Sequence, residues 1–390
     1  MRKILLVVPL TTLQWGSKNS GGVDSVCQML VEQLTKSSSL FHYRILAFDP
    51  KNEVEYDGKV LQLSDNVEVV RSPTKSNKGI LSSVGLWYSN ARVWEQVRDY
   101  NPDLVHSHIP SWLFGALQAK YKVATLHSYK RIARKPVSAL NDLLYERVVP
   151  FALERIVDGY TCVGKMLNDA LTEDVTKPID IVPNPINVRF FDSRRTSKGR
   201  QNIDTIKLVT CALITRRKRV HEALKLVKSL YAQGVKAELT VIGPDCEPDY
   251  YLELKSYVKE NNLDQAVHFV GQCNQQQIIE HYQNAHVGVF FSAEETFGLA
   301  PLEMAASGLP VISTRVGILE ESDDWLAFSN LKLISLGRET IKAHEVIELV
   351  HSQTPELRKY IGNRFQVNNI VRSYEDVYTQ YLQDEVPVAC

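Results

Sequence analysis

Short, almost unbroken apolar runs alternate along this chain with segments whose apolar residues recur every three or four positions. The run "KILLVVPL" near the start contains one proline and, after the lysine, no polar residue. Such a run predicts a strand buried on both faces. The next segment, "VDSVCQMLVEQLTK", places Val23, Val26, Cys27, Leu30 and Leu34 on one helical face. The stretches "YRILAFD", "DLVHSH", "KVATLHS", "GYTCVG" and "IDIVPN" read as further strands. This alternation predicts a parallel sheet with crossover helices, a doubly wound domain over about residues 1–191. The polar, basic "DSRRTSKGRQNID", residues 192–204, reads as a linker. A second series follows over 205–370. Its strands are "IKLVTCALI", "AELTVIG", "AVHFVG", "VGVFFS" and "PVISTRV", with helices over 219–233, 249–260, 275–283 and 301–307. The fold class is therefore α/β, with two Rossmann-like doubly wound domains facing a cleft. Residues just past the strand ends are the ones to examine for ligands.

Composition narrows the picture. A chain of 390 residues is longer than single cores usually grow, which agrees with two domains. Its 45 basic and 45 acidic residues cancel, so it lacks the global charge of a nucleic-acid binder. The six cysteines, Cys27, Cys162, Cys211, Cys246, Cys273 and Cys390, form no C-x-x-C pair. They read as reduced thiols of a cytosolic protein. No cleavage-site residues follow "MRKILLVVPL", which suits a first strand better than a leader. No apolar run approaches the roughly 18 residues of a membrane span.

Chemistry concentrates in "EETFGLAPLEMAASGLPV", residues 294–311. The pattern predicts a helix with Pro301 at its first position and Gly308 just past its end. Ala300, before the proline, has no side chain able to cap. The free N–H groups of the first turn are then open to an anion. Gly298 lets a ligand approach the backbone. Glu295 and Glu303, taken alone, read as a solvated loop acid and an acid favoured by the helix dipole.

They are not alone. "ETFGLAPLEMAASGLPVISTRVG" resembles the glutamate, seven residues, glutamate motif of family 4 of the retaining glycosyltransferases, which have the GT-B fold. The resemblance covers nearly the whole chain and is strongest over about 205–322. It implies that Glu303 holds the ribose hydroxyls of a sugar nucleotide and that Glu295 contacts the donor sugar. It also implies that backbone N–H groups around Phe297, Gly298, Leu299 and Ala300 face the diphosphate or sugar. In "CALITRRKRVHEAL", Lys218 matches the family's diphosphate-binding lysine, while Leu213 and Ala212 stand where an arginine and a glycine are usual. Arg216 or Arg217 is left to replace the missing cation. "VHFVGQ" is similar to the strand that borders the nucleobase, which implicates Val270 and Gly271.

Around the first strand, a long loop ends in Gly21 and Gly22, which leave room for phosphate or sugar at a helix start. There is no G-x-G-x-x-G fingerprint for a nicotinamide. His127 stands in the T-x-H context of the family and is implied to face the donor sugar. His106 and His108 lack a visible third metal ligand and are assigned, with Lys130, Arg131 and Arg134, to the acceptor side. Trp87, Tyr88 and Trp94 are candidate walls of an acceptor groove. "VPNPINVRFFD" resembles the end of the family's first domain, with Pro185 in place of a glycine. "YEDVYTQYL" resembles its terminal helix, so residues 371–390 are expected to rejoin the first domain.

The expected reaction is transfer of a hexose from a nucleotide-diphosphate sugar to a saccharide or lipid-linked acceptor, with retention at the anomeric carbon. His127, Glu295 and Lys218 are the expected catalytic residues. No two aspartates are separated by a single residue, so no metal motif is visible, and the resemblance implies no cofactor beyond the nucleotide sugar as co-substrate. The family's usual setting is surface polysaccharide or glycolipid biosynthesis. That implies a cytoplasmic protein in possible peripheral contact with the inner membrane surface. The alternatives are another GT-B enzyme, an epimerase or a phosphorylase, and a binding homologue without catalysis, which Leu213 keeps open.

Overall fold

A computed structural model describes residues 1–18, 20–75, 84–129, 147–192, 203–337, 340–352 and 355–383. The chain divides into two compact units. One comprises Met1–Trp15, Asn19–Pro185 and Val367–Cys390; the other comprises Gly16–Lys18 and Ile186–Gln366. The expected boundaries after residues 191 and 370 therefore move to 185 and 366. Two features cause the shift. Ile186 already bridges Gln366 of the second unit, and the short helix Val188–Asp192 follows it there. The expected linker 192–204 falls almost wholly outside the described residues.

In the first unit, β1 (Arg2–Pro9), β2 (Phe41–Asp49), β3 (Val60–Ser64), β4 (Val67–Pro73), β5 (Leu104–Ser107), β6 (Tyr121–Leu126), β7 (Gly159–Cys162) and β8 (Ile179–Ile181) form one sheet. Their order is β3-β4-β2-β1-β5-β6-β7-β8. Every pairing is parallel except β3 with β4, which run antiparallel. Ile4 to Val8 of β1 are buried, as expected for the centre of a sheet covered on both faces. The hairpin β3–β4 has no counterpart in the sequence reading. Val60 and Leu61 of its edge strand are exposed, so it lacks the apolar run that marks the others. The helix Val367–Gln383 belongs to this unit, as expected, and starts four residues before residue 371. Its Tyr378 packs edge-on against Phe41 of β2.

The second unit holds β9 (Ile206–Cys211), β10 (Ala237–Ile242), β11 (Val267–Gly271), β12 (Val287–Phe290), β13 (Val311–Thr314) and β14 (Leu331–Ile334). Their order is β11-β10-β9-β12-β13-β14, and all pairings are parallel. Leu208, Val241, Val289 and Ile312 bring four of these strands into one core with Leu224 and Val227 of the helix Val220–Ala232. The chain leaves β9 toward β10 and β11, then returns to the other side of β9 at β12. The carboxyl ends of β9 and β12 thus flank the point where strand order reverses, where open α/β sheets bind ligands. Gly243, just past β10, has φ of 141°, and a Cβ there would lie 1.9 Å from the carbonyl oxygen of Ala212. Only glycine lets these two strand ends approach so closely. No helix among the described residues is long and apolar enough to cross a membrane.

Candidate functional site

Two loops meet at that reversal point. The loop after β9 makes a single 3₁₀ turn over Arg216–Lys218, and the loop after β12 runs from Phe291 to Gly298. They are stitched by backbone and side chain. The Ala293 N–H donates to the Arg217 carbonyl at 2.8 Å, and Arg217 Nη1 donates to the Glu294 carbonyl at 3.0 Å. Thr314, at the end of β13, donates to the Ser292 carbonyl at 2.7 Å and fixes the loop from the other side.

At the centre, the Lys218 ammonium is paired with the Glu295 carboxylate. Glu295 is only 7% exposed, and Lys218 Nζ sits 5.3 Å from the centre of the Phe290 ring. Burial pushes the Lys218 ammonium below its ordinary pKa, and Glu295 pulls it partly back. A buried pair of this kind holds only while both members are present, because a lone charge in such surroundings is costly.

The second glutamate is placed differently. The helix Leu299–Ala306 begins two residues earlier than expected. Its N-cap is Gly298, in a left-handed conformation with φ of 88°, rather than Ala300. Pro301 is then the third helical residue, and Glu303 lies in the second turn. The expected absence of a cap holds, since no side chain caps this start. The N–H groups of Leu299 and Ala300 are among those a helix start leaves free. Burial raises the Glu303 carboxyl to about 7. Cys211 at the end of β9 feels its charge, and burial together with Glu303 pushes that thiol up to about 12. Tyr282, wholly buried, lies close enough to respond to both.

Phe297 contributes only its main chain. Its ring is buried and packs edge-on against Phe365 at 5.7 Å. Its carbonyl accepts from Ile318 N at 2.9 Å. Gly317 allows this contact: with φ of 57°, a Cβ there would lie 2.4 Å from the Phe297 oxygen. Gly317 is the site-building residue that sequence reading passed over, although it sits in the quoted "TRVG".

The two candidate arginines separate. Arg216 is turned outward, where Nη1 donates to Glu253 Oε2 at 2.9 Å and its guanidinium lies 5.3 Å from the Tyr250 ring. Its backbone N–H is held by Glu247 at 3.1 Å. Arg216, expected at the donor, is held here on the surface by this partner on the helix Pro248–Glu260. Arg217 is the arginine docked beside Glu294 and Lys218. Leu213 is 40% exposed and supplies no polar group. At the end of β11, Val270 is exposed and Gly271 has φ of 72°. The Gly271 carbonyl accepts from Gly243 N at 2.9 Å.

In the first unit, a Cβ added at Gly21 or Gly22 would meet nothing within 4 Å, so the start of the helix Gly22–Lys36 is open. Asp24 in its first turn is buried and receives Thr11 N at 3.0 Å and Ser20 N at 2.6 Å, which pins the preceding loop. His106 cannot reach an acceptor. It is fully buried, with Nδ1 2.6 Å from the Tyr378 hydroxyl and Nε2 2.6 Å from Thr125 Oγ1. His108 is buried too, and its Nδ1 lies 3.0 Å from His127 Nε2. Both acceptor assignments are corrected for the same reason: these rings belong to the core beneath the strand ends. His127 is half-buried just past β6. Burial depresses His127 to about 4 and His106 to about 3, and holds His108 well below the ordinary histidine range. All three are neutral at pH 7. Lys130, Arg131 and Arg134 lie outside the described residues. On the helix Gly85–Tyr100, Trp87 is 68% exposed, and Trp94 carries Arg98 over its ring at 4.7 Å. Among the described residues no group of three His, Cys, Asp or Glu is arranged to hold a metal.

The family described as "Glycosyl transferases group 1" matches residues 193–322, and that described as "Glycosyltransferase Family 4" matches residues 20–190. The two matches together span most of the chain and both units. The chain belongs to glycosyltransferase family 4. Among curated relatives, this family 4 chain is 26% identical over 239 residues to a glycogen synthase of Mycobacterium tuberculosis. That match covers 58% of this chain and 55% of the relative, so it spans about half of that protein's length. It is also 26% identical over 322 residues to an N-acetyl-alpha-D-glucosaminyl L-malate synthase of Bacillus anthracis, covering 76% and 79% of the two chains. Among solved structures, a sucrose-phosphate synthase from Thermosynechococcus elongatus superposes with a TM-score of 0.72 at 17% identity, over 99% of this chain and 100% of that one. The Anabaena protein HepE, in complex with UDP and glucose, gives 0.68 at 16% identity, over 97% and 100%. These neighbours share the GT-B fold, which this family 4 chain also has.

Lys218→Met and Glu295→Leu test the buried pair. Each single change is expected to lower stability in urea unfolding by about 3–5 kcal/mol, and the double variant to recover most of the loss. Additive losses would show that the two side chains do not depend on each other.

Proposed function

We propose that this protein transfers a hexose from a nucleotide-diphosphate sugar to a saccharide acceptor, with retention of configuration and without a resident metal or cofactor. The reading rests on one short segment: Arg217 and Lys218 are held at Glu294 and Glu295, and the uncapped helix Leu299–Ala306, which carries Glu303, starts four residues after Glu295. Two cations and free N–H groups in a partly buried setting suit a diphosphate. An acceptor-only carboxylate suits a pair of ribose hydroxyls.

In the proposed reaction, Glu303 accepts from the ribose and Val270 and Gly271 border the base through the main chain. Lys218 gives up its pairing with Glu295 to meet the diphosphate, and Arg217 takes the place left by Leu213. Glu295, released, accepts from a hydroxyl of the donor sugar, and His127 meets the same sugar. The anomeric carbon–oxygen bond to phosphate breaks while the acceptor oxygen attacks from the same face. The acceptor proton passes to the departing phosphate oxygen, so no side chain must act as nucleophile. Oriented donors aimed at the leaving group are worth roughly 2.7–4 kcal/mol each in other enzymes.

A uridine donor is the proposed base, in keeping with the UDP held by the Anabaena neighbour. A saccharide acceptor is in keeping with the name of the glycogen synthase relative, whereas the name of the Bacillus anthracis relative gives malate, a non-sugar acceptor; a lipid-linked saccharide is the extended form of the proposed class. Single-turnover transfer from UDP-glucose tests the reading. Lys218→Ala and Glu303→Ala are each expected to lower the rate at least about 100-fold. If both variants retain donor binding and rate, the proposal fails. Donor consumption without any acceptor would favour an epimerase, and phosphate dependence a phosphorylase. UDP binding without turnover would favour a binding protein.

The raised Glu303 carboxyl gives the donor affinity a pH dependence. Below about 7 the carboxyl is protonated and loses acceptor capacity for the ribose. The affinity for UDP-glucose is therefore expected to fall up to about tenfold between pH 8 and pH 6 in calorimetric titration. Glu303→Gln is expected to bind more weakly at pH 8 and to show a flat profile. The three histidines, depressed by burial, add nothing in this range.

A further inference from the structure

The pairing of His108 with His127 contains more than packing. The rings are stacked at 5.3 Å with an angle of 26° between planes, and one N···N contact of 3.0 Å joins His108 Nδ1 to His127 Nε2. Both rings are neutral, so each carries one proton, and a single proton occupies the contact. Two arrangements are available. Either His108 donates from Nδ1 to a bare His127 Nε2, or His127 donates from Nε2 to a bare His108 Nδ1.

The other nitrogen of His108 decides between them. Nε2 is buried and meets no hydrogen-bond partner. The His108 ring itself packs against His106, at 4.7 Å between centroids, and Tyr374, at 5.6 Å. The nitrogens of His106 are already engaged by Tyr378 and Thr125. If His127 were the donor, the His108 proton would sit on Nε2 as a buried N–H without an acceptor. If His108 is the donor, Nε2 is only a bare lone pair. An orphaned buried N–H is the rarer of the two in folded proteins.

We propose that His108 is a positioning residue that holds His127 in the Nδ1–H tautomer, so that the nitrogen of His127 left open to a ligand is a hydrogen-bond donor rather than a base. The assignment rests on the proposed function only for its use: a neutral N–H meets a hydroxyl oxygen of the donor sugar. It fits a reaction in which the acceptor proton leaves with the phosphate, since His127 then has no proton to take. The tautomer itself is a property of the free protein.

Long-range proton–nitrogen spectra of protein labelled with ring-¹⁵N histidine test the proposal, with His127 assigned by its loss in His127→Ala. In the wild type, His127 is expected to show a protonated Nδ1 and a bare Nε2. His108→Phe keeps the ring volume and removes the donor, and His127 is expected to become a mixture of tautomers. His108→Gln, whose amide N–H can donate to Nε2, is expected to restore the Nδ1–H form. In turnover with UDP-glucose, His108→Phe is expected to lower kcat about tenfold or more with little change in KM for the donor, and His108→Gln to recover part of it. A protonated Nε2 on wild-type His127 overturns the proposal, and that spectrum decides even if His108→Phe fails to fold. An unchanged tautomer in His108→Phe overturns it as well. The spectra judge the tautomer without any substrate, whereas absence of transfer by the wild type would overturn the proposed function alone.

Discussion

The buried pairing of Lys218 with Glu295 is the interaction on which the rest of the site depends. It ties the loop after β9 to the loop after β12, at the one place in the second sheet where strand order reverses. Neither charge is tolerable alone at that depth, so each loop keeps the other in place. The same arrangement makes the site responsive. A diphosphate brings more negative charge than one carboxylate and matches the same ammonium, so in the proposed reaction a donor takes over Lys218 while the sugar hydroxyls take over Glu295.

Around the pair, backbone geometry does work that side chains cannot. Gly317 lets the Phe297 carbonyl approach closely enough to be anchored, and Gly298 turns the chain left-handed into a helix with no side-chain cap. Gly243 lets the ends of β9 and β10 close up. Loops held this firmly leave helix-start N–H groups pointing in fixed directions, which is what electrostatic stabilisation of a leaving group requires. Glu303 adds the complementary constraint. It is buried enough to hold its proton near neutrality, so the ribose contact proposed for it would be linked to carboxyl ionisation.

Most of the fold was legible in the sequence because parallel strands covered on both faces announce themselves as apolar runs. β1, β2, β5 to β8 and β9 to β13 each lie within such a run. β3, β4 and β14 were not legible: β3 is an exposed edge strand, β4 is interrupted by Glu68 and Arg71, and β14 is four residues with a lysine at its centre. Of the site, Glu295, Glu303, Gly298 and Lys218 were readable as a motif, and so was the absent cap. The position of that cap was not, because Pro301 fits the first turn of a helix at more than one register, and only the positive φ of Gly298 fixes the start. The choice between Arg216 and Arg217 depends on Glu253, which is distant in sequence, so spacing alone had no means to make it. The histidines show the same limit. His106 in β5 and His108 just past it are two residues apart and therefore point to one face, but which face is core depends on Tyr374 and Tyr378 of a helix more than 250 residues later.

In the proposed reaction the donor diphosphate displaces Glu295 from Lys218. A crystal structure of the protein with an intact, non-transferable UDP-glucose analogue tests it directly. Lys218 Nζ is expected within hydrogen-bond distance of a diphosphate oxygen, with Glu295 facing the sugar. The N–H groups of Leu299 and Ala300 should turn toward the same ligand. A structure in which the nucleotide sugar is bound while Lys218 and Glu295 remain paired with each other would contradict it.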